Sequence, residues 1–206
     1  MLDLVAGVTF YEDTEPPILA ALEELGLAVF RRGLWNVNLL GIRSRAREAG
    51  VFDDLVGVVY RDHRGSWVEA FYAATTDPGL YWLQNPTRIA GTAILAPGQY
   101  RGAYELGLHR GRYQALVQRG PVDVFRDGNR DATLDAVGEL HRGYFGINIH
   151  RASSSRASTR VGRWSAGCQV VADPDDFDDL IEVCRKSAQL YGPRLTYTLI
   201  AEELLP

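Results

Sequence analysis

The sequence predicts a mainly β (α+β) fold, a sandwich or barrel with a C-terminal helix and an N-terminal helical extension. Short runs rich in valine and aromatic residues recur along the chain, separated by turns that contain glycine or proline. Strong helical periodicity is confined to two segments, one near each end. Because no clear linker interrupts the chain, we predict a main domain over residues 51–206, with residues 1–50 packed on it as an extension.

The N-terminal extension is predicted to begin with a helix between Thr14 and Gly26. Thr14 is the candidate cap, two prolines fit the first turn, and apolar residues follow at helical spacing. Two short strands, Leu27–Phe30 and Val37–Ile42, are predicted after the helix. Residues 43–50 are basic and are predicted to form a turn.

A β-hairpin is predicted next, with Leu55–Tyr60 and Trp67–Ala73 as its arms and a polar, glycine-bearing turn between them. A Thr-Thr-Asp-Pro-Gly segment then ends the second arm. Four further short strands are predicted, at Ala93–Leu95, Tyr100–Tyr104, Tyr113–Val117 and Val122–Phe125. Residues 126–142 are polar, and we predict a loop with a helical turn there.

The C-terminal helix is predicted from Asp173 to Leu190. Asp173 is a good cap, a proline occupies the first turn, and acidic residues follow at the positive end of the helix dipole. Cys184 falls on the apolar face of this helix and is predicted to be a packing residue. Leu195–Ile200 is predicted to be the final strand.

Composition excludes several classes of protein. The chain has 22 basic and 26 acidic residues, a net charge of −4, which argues against a nucleic-acid or membrane-surface binder. Two cysteines are too few for a disulfide scaffold of this size. No apolar run is long enough to span a membrane. The segment Met1–Val5 lacks a basic region, so we predict no secretory signal and synthesis in the cytoplasm.

The stretch from Tyr144 to Ala172 contains the candidate catalytic residues. His150 ends one apolar run, and Cys168 stands 18 positions later beside another. A cysteine nucleophile needs a base, because a free thiol has a pKa of about 8.5 and is mostly protonated at neutral pH. His150 is the candidate base, and Gly167 allows close backbone approach beside an oxyanion. A pair of this kind implies acyl transfer through a thioester.

Other interpretations of the same residues remain open at this stage. A lone cysteine is more often a packing residue than a nucleophile. The cysteines and histidines show no paired-ligand spacing, so we predict neither a metal nor another cofactor. The segment Arg126–Asp131 resembles a fragment of a calcium loop but lacks the later glutamate, and we interpret it as a turn.

The residues His150 and Ser165-Ala166-Gly167-Cys168 resemble the catalytic signature of the L,D-transpeptidases (YkuD-type domains). In that family a histidine is followed, after a similar gap, by Ser/Thr-His-Gly-Cys, an apolar residue, and Asn or Arg. The resemblance extends upstream through the hairpin, Thr75-Thr76 and the Pro-Gly-Gln-Tyr segment that ends at Tyr100. Two departures stand out: Ala166 replaces the motif's histidine, and Gln169-Val170 replaces the residues after the cysteine.

The resemblance implies a catalytic domain that acts on the stem peptide of peptidoglycan. Cys168 would be the nucleophile, His150 the base, and Ser165 the Ser/Thr of the motif, with Gly167 beside the nucleophile. The thioester would be resolved by an amine, which cross-links, or by water, which trims. His109 or a nearby arginine would take over part of the task of the missing motif histidine. The substrate would place the protein at the cell wall, after export or lysis.

Two polar segments are predicted to hold the substrate. Residues 151–163 carry four arginines and no acid, which suits a lid that binds carboxylates and also suits a solvated loop. Residues 100–118 suit a polar cleft or an aromatic strand face. The candidate substrate-binding residues are His109, Arg110, Tyr113, Arg151, Arg163 and Trp164.

Two competing functions follow from the same pattern. A wall-binding or virion-associated structural protein could keep the fold without turnover, and the departures at Ala166 and Gln169 favour it. A cysteine amidase or protease could use the same residue pair on a different substrate. The sequence leaves the acyl acceptor and the oligomeric state open.

Overall fold

A computed structural model describes residues 4–46 and 48–206. The first three residues of the N-terminal segment, and Arg47 in the predicted basic turn, lie outside the described residues. The helices are α1 (Pro17–Glu24), α2 (Leu80–Gln84) and α3 (Pro174–Tyr191), and a 3-10 turn covers Glu202–Leu204. The strands are β1 (Gly7–Tyr11), β2 (Asn38–Arg43), β3 (Asp54–Arg61), β4 (Trp67–Thr75), β5 (Thr92–Leu95), β6 (Gly98–His109), β7 (Tyr113–Gln118), β8 (Val122–Asp127), β9 (His141–Gly143), β10 (Ile149–Arg151), β11 (Gln169–Val171) and β12 (Leu195–Ala201).

Eight strands close into a barrel. Their order is β4-β11-β10-β7-β6-β12-β2-β3, and β3 pairs again with β4. The first half of β4 also pairs with β1, whereas its end, Ala74 and Thr75, pairs with β11. A second sheet contains β5, β8 and β9. The prediction of a mainly β fold with a C-terminal helix is therefore confirmed, and the architecture is a barrel.

Two hydrophobic clusters stabilise the barrel. The larger lies between the inward faces of the strands and the apolar face of α3, and Tyr104 and Tyr197 meet edge to face within it. Cys184 is fully buried in this cluster, which confirms its prediction as a packing residue. The smaller cluster packs α1 against outward-facing side chains of β2, β3, β4 and β12. No helix among the described residues is long and apolar enough to cross a membrane.

A charged network is buried where β2, β3 and β4 meet. The Arg43 guanidinium pairs with Asp77 at 3.0 Å and donates to Thr76 Oγ1, also at 3.0 Å, and to the carbonyl oxygen of Leu95 at 2.9 Å. Asp54 accepts hydrogen bonds from the N–H and hydroxyl groups of Thr76 at 2.6 and 2.8 Å. Because these partners satisfy one another, the network ties β2 to the turn that follows β4.

Most predicted elements are confirmed, including the hairpin of β3 and β4 and the cap of α3, where Asp173 accepts from the N–H of Asp175 at 2.9 Å. The predicted strand Leu27–Phe30 is wrong. Side-chain amides replace a strand partner there: Gln99 binds the backbone of residue 28 and Asn38 binds that of residue 30. Residues 128–140 contain no helical turn.

Two N-terminal features also differ from expectation. Helix α1 begins at Pro17 with Pro16 at the cap position, and no side chain caps it, so the prediction of Thr14 as the cap is wrong. Fixed proline φ angles suit this first turn, where a capping side chain is dispensable. Residues 1–50, predicted as an extension packed on the domain, contribute β2 to the barrel, between β12 and β3.

The strand that carries His150 includes only the last residue of the apolar run, residues 145–149, that precedes this histidine. Strand β10 begins at Ile149, so His150 lies in its middle and not at its end. The N–H groups of Phe145 and Ile147 both donate to Oε1 of Gln118 at 3.1 Å. Because one glutamine side chain binds this backbone, the segment needs no strand partner.

Candidate active site

The candidate nucleophile and base lie on one face of the barrel. Strands β10 and β11 are parallel, with Ile149 opposite Gln169 and His150 opposite Val170. Ile149 and Gln169 are buried toward the interior. Side chains alternate along a strand, so His150 and Val170 point the other way, and Cys168, two positions before Val170, shares their face. Cys168 immediately precedes β11, and because His150 lies opposite Val170 the register places Cys168 diagonally across from His150.

The His150 ring has one hydrogen-bonded nitrogen and one free nitrogen among the described residues. Its Nδ1 lies 2.8 Å from the carbonyl oxygen of Arg151, which can only accept, so Nδ1 carries the proton and Nε2 holds a lone pair. The hydroxyl of Tyr113 lies 3.2 Å from Nδ1 and donates to the same carbonyl at 3.3 Å. Nε2 is buried and has no hydrogen-bond partner among the described residues. Burial, with the nearby His109 and Arg110, lowers the pKa of His150 to about 3.

Cys168 is partly exposed and immediately precedes β11. Its sulfur accepts from the N–H of Asn148 and donates to the carbonyl of Gly146, each at 3.5 Å. Burial raises the pKa of the thiol, whereas the Asn148 N–H and the charge of Arg110 oppose the rise. No hydrogen bond joins the sulfur to the His150 ring in the described part of the chain. The resting pair is thus a neutral thiol and a neutral imidazole.

The turn before Cys168 is held by Ser165 and Gly167. Ser165 is fully buried, and its hydroxyl donates to the Cys168 carbonyl at 2.7 Å and accepts from the Gly167 N–H at 3.1 Å. Gly167 has a φ of +116°, and a Cβ there would overlap the carbonyl oxygen of Ala93 on β5. The second sheet therefore fixes this turn, and Ser165 is a positioning residue.

A cleft of about 580 Å³ opens beside His150, and Cys168 is not part of its lining. It is lined by Trp82, His109, Arg110, Arg112, Tyr113, His150, Arg163 and Trp164. Among the predicted substrate-binding residues, only Arg151 is not in this lining: it lies over the Tyr113 ring at 4.5 Å and pairs with Asp178 at 3.6 Å. Among the described residues no carboxylate lines the cleft, although the whole chain is acidic. Its chemistry suits an anionic ligand with apolar parts.

His109 packs against His150 from the neighbouring hairpin. Its ring lies 4.1 Å from the His150 ring at an angle of 31°, and its Nδ1 is 3.1 Å from the side-chain nitrogen of Asn148. Burial and Arg110 lower the pKa of His109. The β6–β7 turn places it there, with φ of +50° at Arg110 and +70° at Gly111. Two uncharged imidazole rings can therefore pack against each other without charge repulsion.

Sequence reasoning missed Asn148 and Trp82. Asn148 joins the site through its N–H to the sulfur and its amide to His109, and its position two residues before His150 on the same face was a usable signal. Trp82 lines the cleft, and its Nε1–H donates to the carbonyl of Arg163 at 3.1 Å. No sequence pattern indicated that α2 would reach the site.

The positions that depart from the motif have different surroundings. Gln169 lies inside the barrel, where its amide donates to carbonyls of Thr76 and Gly167 at 3.3 Å and accepts from the Tyr197 hydroxyl at 3.0 Å. Val170 is fully buried opposite His150, and Ala166 is exposed. Gln169 is thus a structural residue, and the nearby positive charge comes from Arg110.

The arginine-rich segment, residues 151–163, is held to the rest of the protein by several contacts. The N–H of Ser158 donates to the carbonyl of Ala172 at 3.0 Å, and that of Val161, a fully buried residue, donates to Gly50 at 3.0 Å. The guanidinium of Arg163 lies 3.8 Å from the centre of the Tyr81 ring. The end of the arginine-rich segment is therefore held in place where it lines the cleft.

Comparisons with family models, with curated proteins and with solved structures find no match to this chain. The barrel and the geometry of the site therefore carry the functional argument, and the family resemblance stays a prediction.

The low pKa of His150 predicts acid sensitivity. A folded state that keeps His150 neutral binds fewer protons than the unfolded chain, so the free energy of unfolding falls as the pH drops below the ordinary value of 6.5 toward about 3. The slope from this one group approaches about 1.4 kcal/mol per pH unit. Urea unfolding across this pH range should show that the free energy of unfolding depends less steeply on pH in His150→Gln than in wild type. His63→Gln, which changes an exposed histidine, should show the same pH dependence as wild type. The same pH dependence of the free energy of unfolding in all three proteins would contradict the low pKa of His150.

Proposed function

We propose that this protein is a cysteine acyltransferase that acts on peptidoglycan stem peptides, as an L,D-transpeptidase or L,D-carboxypeptidase. The observation that carries the proposal is the unpartnered, buried Nε2 of His150 on the same barrel face as the partly exposed Cys168. A buried acceptor without a partner costs free energy, so its retention favours a functional role. We place the site of action at the cell wall, where this substrate lies.

The first half of the reaction uses groups that the site presents. As the sulfur attacks the peptide carbonyl between the third residue and D-Ala, the thiol proton passes to Nε2 of His150. The N–H of Cys168, for which no acceptor is found among the described residues, would stabilise the oxyanion. The C–N bond then breaks, the imidazolium returns its proton to the leaving amine of D-Ala, and a thioester remains.

The second half of the reaction regenerates the thiol. An amine or a water molecule attacks the thioester, His150 accepts the proton of the attacking group, and the sulfur leaves and recovers a proton. An amine gives a cross-linked dimer, and water gives a shortened stem peptide. Three arginines line the cleft, Arg110, Arg112 and Arg163, and their charges suit the carboxylates of a stem peptide.

The decisive assay is incubation with purified muropeptides followed by mass spectrometry. Dimers would indicate transpeptidation, and loss of a terminal D-Ala would indicate carboxypeptidation. Both products should pass through a covalent adduct on Cys168, detectable in the intact protein after a rapid acid quench. Unchanged muropeptides, with no adduct, would overturn the proposed activity.

A non-catalytic wall-binding or virion-associated protein is the second candidate. The raised pKa of Cys168 and the absence of a motif histidine at Ala166 favour it. Such a protein would sediment with insoluble peptidoglycan but form no adduct at Cys168. The same cleft would then act only as a carboxylate-binding surface.

A further inference from the structure

The segment that begins at the last residue of β8 and continues into the loop before β9 carries oxygen-bearing side chains at every second position. These are Asp127, Asn129, Asp131, Thr133 and Asp135. The spacing matches positions 1, 3, 5, 7 and 9 of a twelve-residue calcium loop. From the sequence, only Arg126–Asp131 was compared with a calcium loop, and that segment was interpreted as a turn.

The structure folds these side chains toward one another. The amide nitrogen of Asn129 donates to Asp131 Oδ2 at 2.9 Å and to Asp135 Oδ2 at 2.6 Å. The N–H of Asp135 donates to Asp127 Oδ2 at 3.1 Å, which brings the two ends of the segment together. Asn129 thus presents an electropositive amide group where two carboxylates meet.

Asp127 supplies an independent sign of a ligand. Only 1% of this residue is exposed, and its Oδ1 has no hydrogen-bond partner among the described residues. Its carboxyl group faces the loop, because Oδ2 binds the Asp135 backbone. Burial and the charges of Asp135 and Asp131 raise its pKa. A buried carboxylate oxygen without a partner is costly, and a bound cation would satisfy it.

We propose that the 127–135 loop binds Ca²⁺ through the carboxylates of Asp127, Asp131 and Asp135, the side-chain oxygen of Asn129 and the backbone carbonyl of Thr133. In the described residues no three acidic, histidine or cysteine side chains already form a ligand set. The Asn129 amide nitrogen lies between the carboxylates of Asp131 and Asp135. A half-turn about its last torsion exchanges the nitrogen for the oxygen and breaks the 3.1 Å hydrogen bond that this oxygen accepts from the Asp131 N–H. Ca²⁺ fits this set better than Mg²⁺, which demands strict octahedral geometry and keeps its waters.

The departures from a complete calcium loop predict weak binding. Ala132 stands at position 6, where the glycine belongs, and Gly138 stands at position 12, where a glutamate would bind through both oxygens. Loss of that bidentate ligand places the expected dissociation constant at about 10⁻⁴–10⁻³ M, the range of extracellular modules. The proposal is independent of the proposed acyl transfer.

Calorimetry on the full chain, first stripped with chelator, tests the proposal. Ca²⁺ should bind to one site in the stated range, and Mg²⁺ should bind at least about tenfold more weakly. Amide hydrogen exchange should slow within residues 128–136 when Ca²⁺ is added. Equal effects of Ca²⁺ and Mg²⁺, or no binding up to about 10 mM Ca²⁺, would overturn the proposal.

Matched variants locate the site. Asp131 is exposed, so Asp131→Asn should fold normally and weaken Ca²⁺ binding by at least about tenfold through the loss of one ligand charge. Asp13→Asn, which changes an exposed aspartate far in sequence from the 127–135 loop, should bind Ca²⁺ as tightly as wild type does. If both variants lose affinity equally, or neither does, the ion binds elsewhere and the assignment is wrong.

Discussion

Replacing Cys168 with alanine is expected to abolish product formation from muropeptides while the barrel stays folded. The substitution removes the thiol that the proposed reaction acylates, so neither dimers nor trimmed peptides should form. The sulfur makes one long hydrogen bond with the Asn148 N–H and another with the Gly146 carbonyl. Their loss should lower the free energy of unfolding by about 0.5–1.5 kcal/mol. Mass spectrometry of products and urea unfolding measure the two quantities.

Cys184→Ala and His150→Ala complete this experiment. Cys184 is the other thiol of the chain and is buried in the core, so its variant should keep activity even though it creates a cavity. His150→Ala should slow acylation by about 10²–10⁴-fold, the usual contribution of a general base. Turnover by Cys168→Ala at the wild-type rate would eliminate the thioester mechanism.

Replacing Arg43 with methionine is expected to destabilise the protein by about 3–5 kcal/mol, because removing one partner of a buried ion pair leaves the other charge buried. Arg43 is 2% exposed and binds Asp77, Thr76 and the carbonyl of Leu95. Methionine keeps much of the side-chain volume but none of the donors. Urea unfolding followed by tryptophan fluorescence reports the change.

Arg64→Met is the matched control for Arg43→Met. Arg64 lies exposed in the turn between β3 and β4, so the same exchange should change the free energy of unfolding by less than about 0.5 kcal/mol. If both variants unfold at the wild-type denaturant concentration, the buried network does not stabilise the barrel.

The sequence predicted correctly those helices, strands and turns whose formation depends on residues a few positions apart. The caps and apolar period of α3, the alternation of β3 and β4, and the turn between them are all present within short windows of sequence. The pair His150 and Cys168 was found in the same way, from residue type and spacing. The prediction of a strand at Leu27–Phe30 was wrong because the backbone of this segment is bound by the side chains of Gln99 and Asn38, which lie farther along the chain.

The sequence by itself determined the class of fold, the candidate nucleophile and its base, and the presence of arginines near them. Only the tertiary structure decided that eight strands close, that Gln169 faces the interior, and that His109 packs against His150. The physical reason is distance along the chain. A cap or a strand period is set by residues a few positions apart, whereas barrel closure, burial and the protonation of His150 depend on segments that meet only after folding.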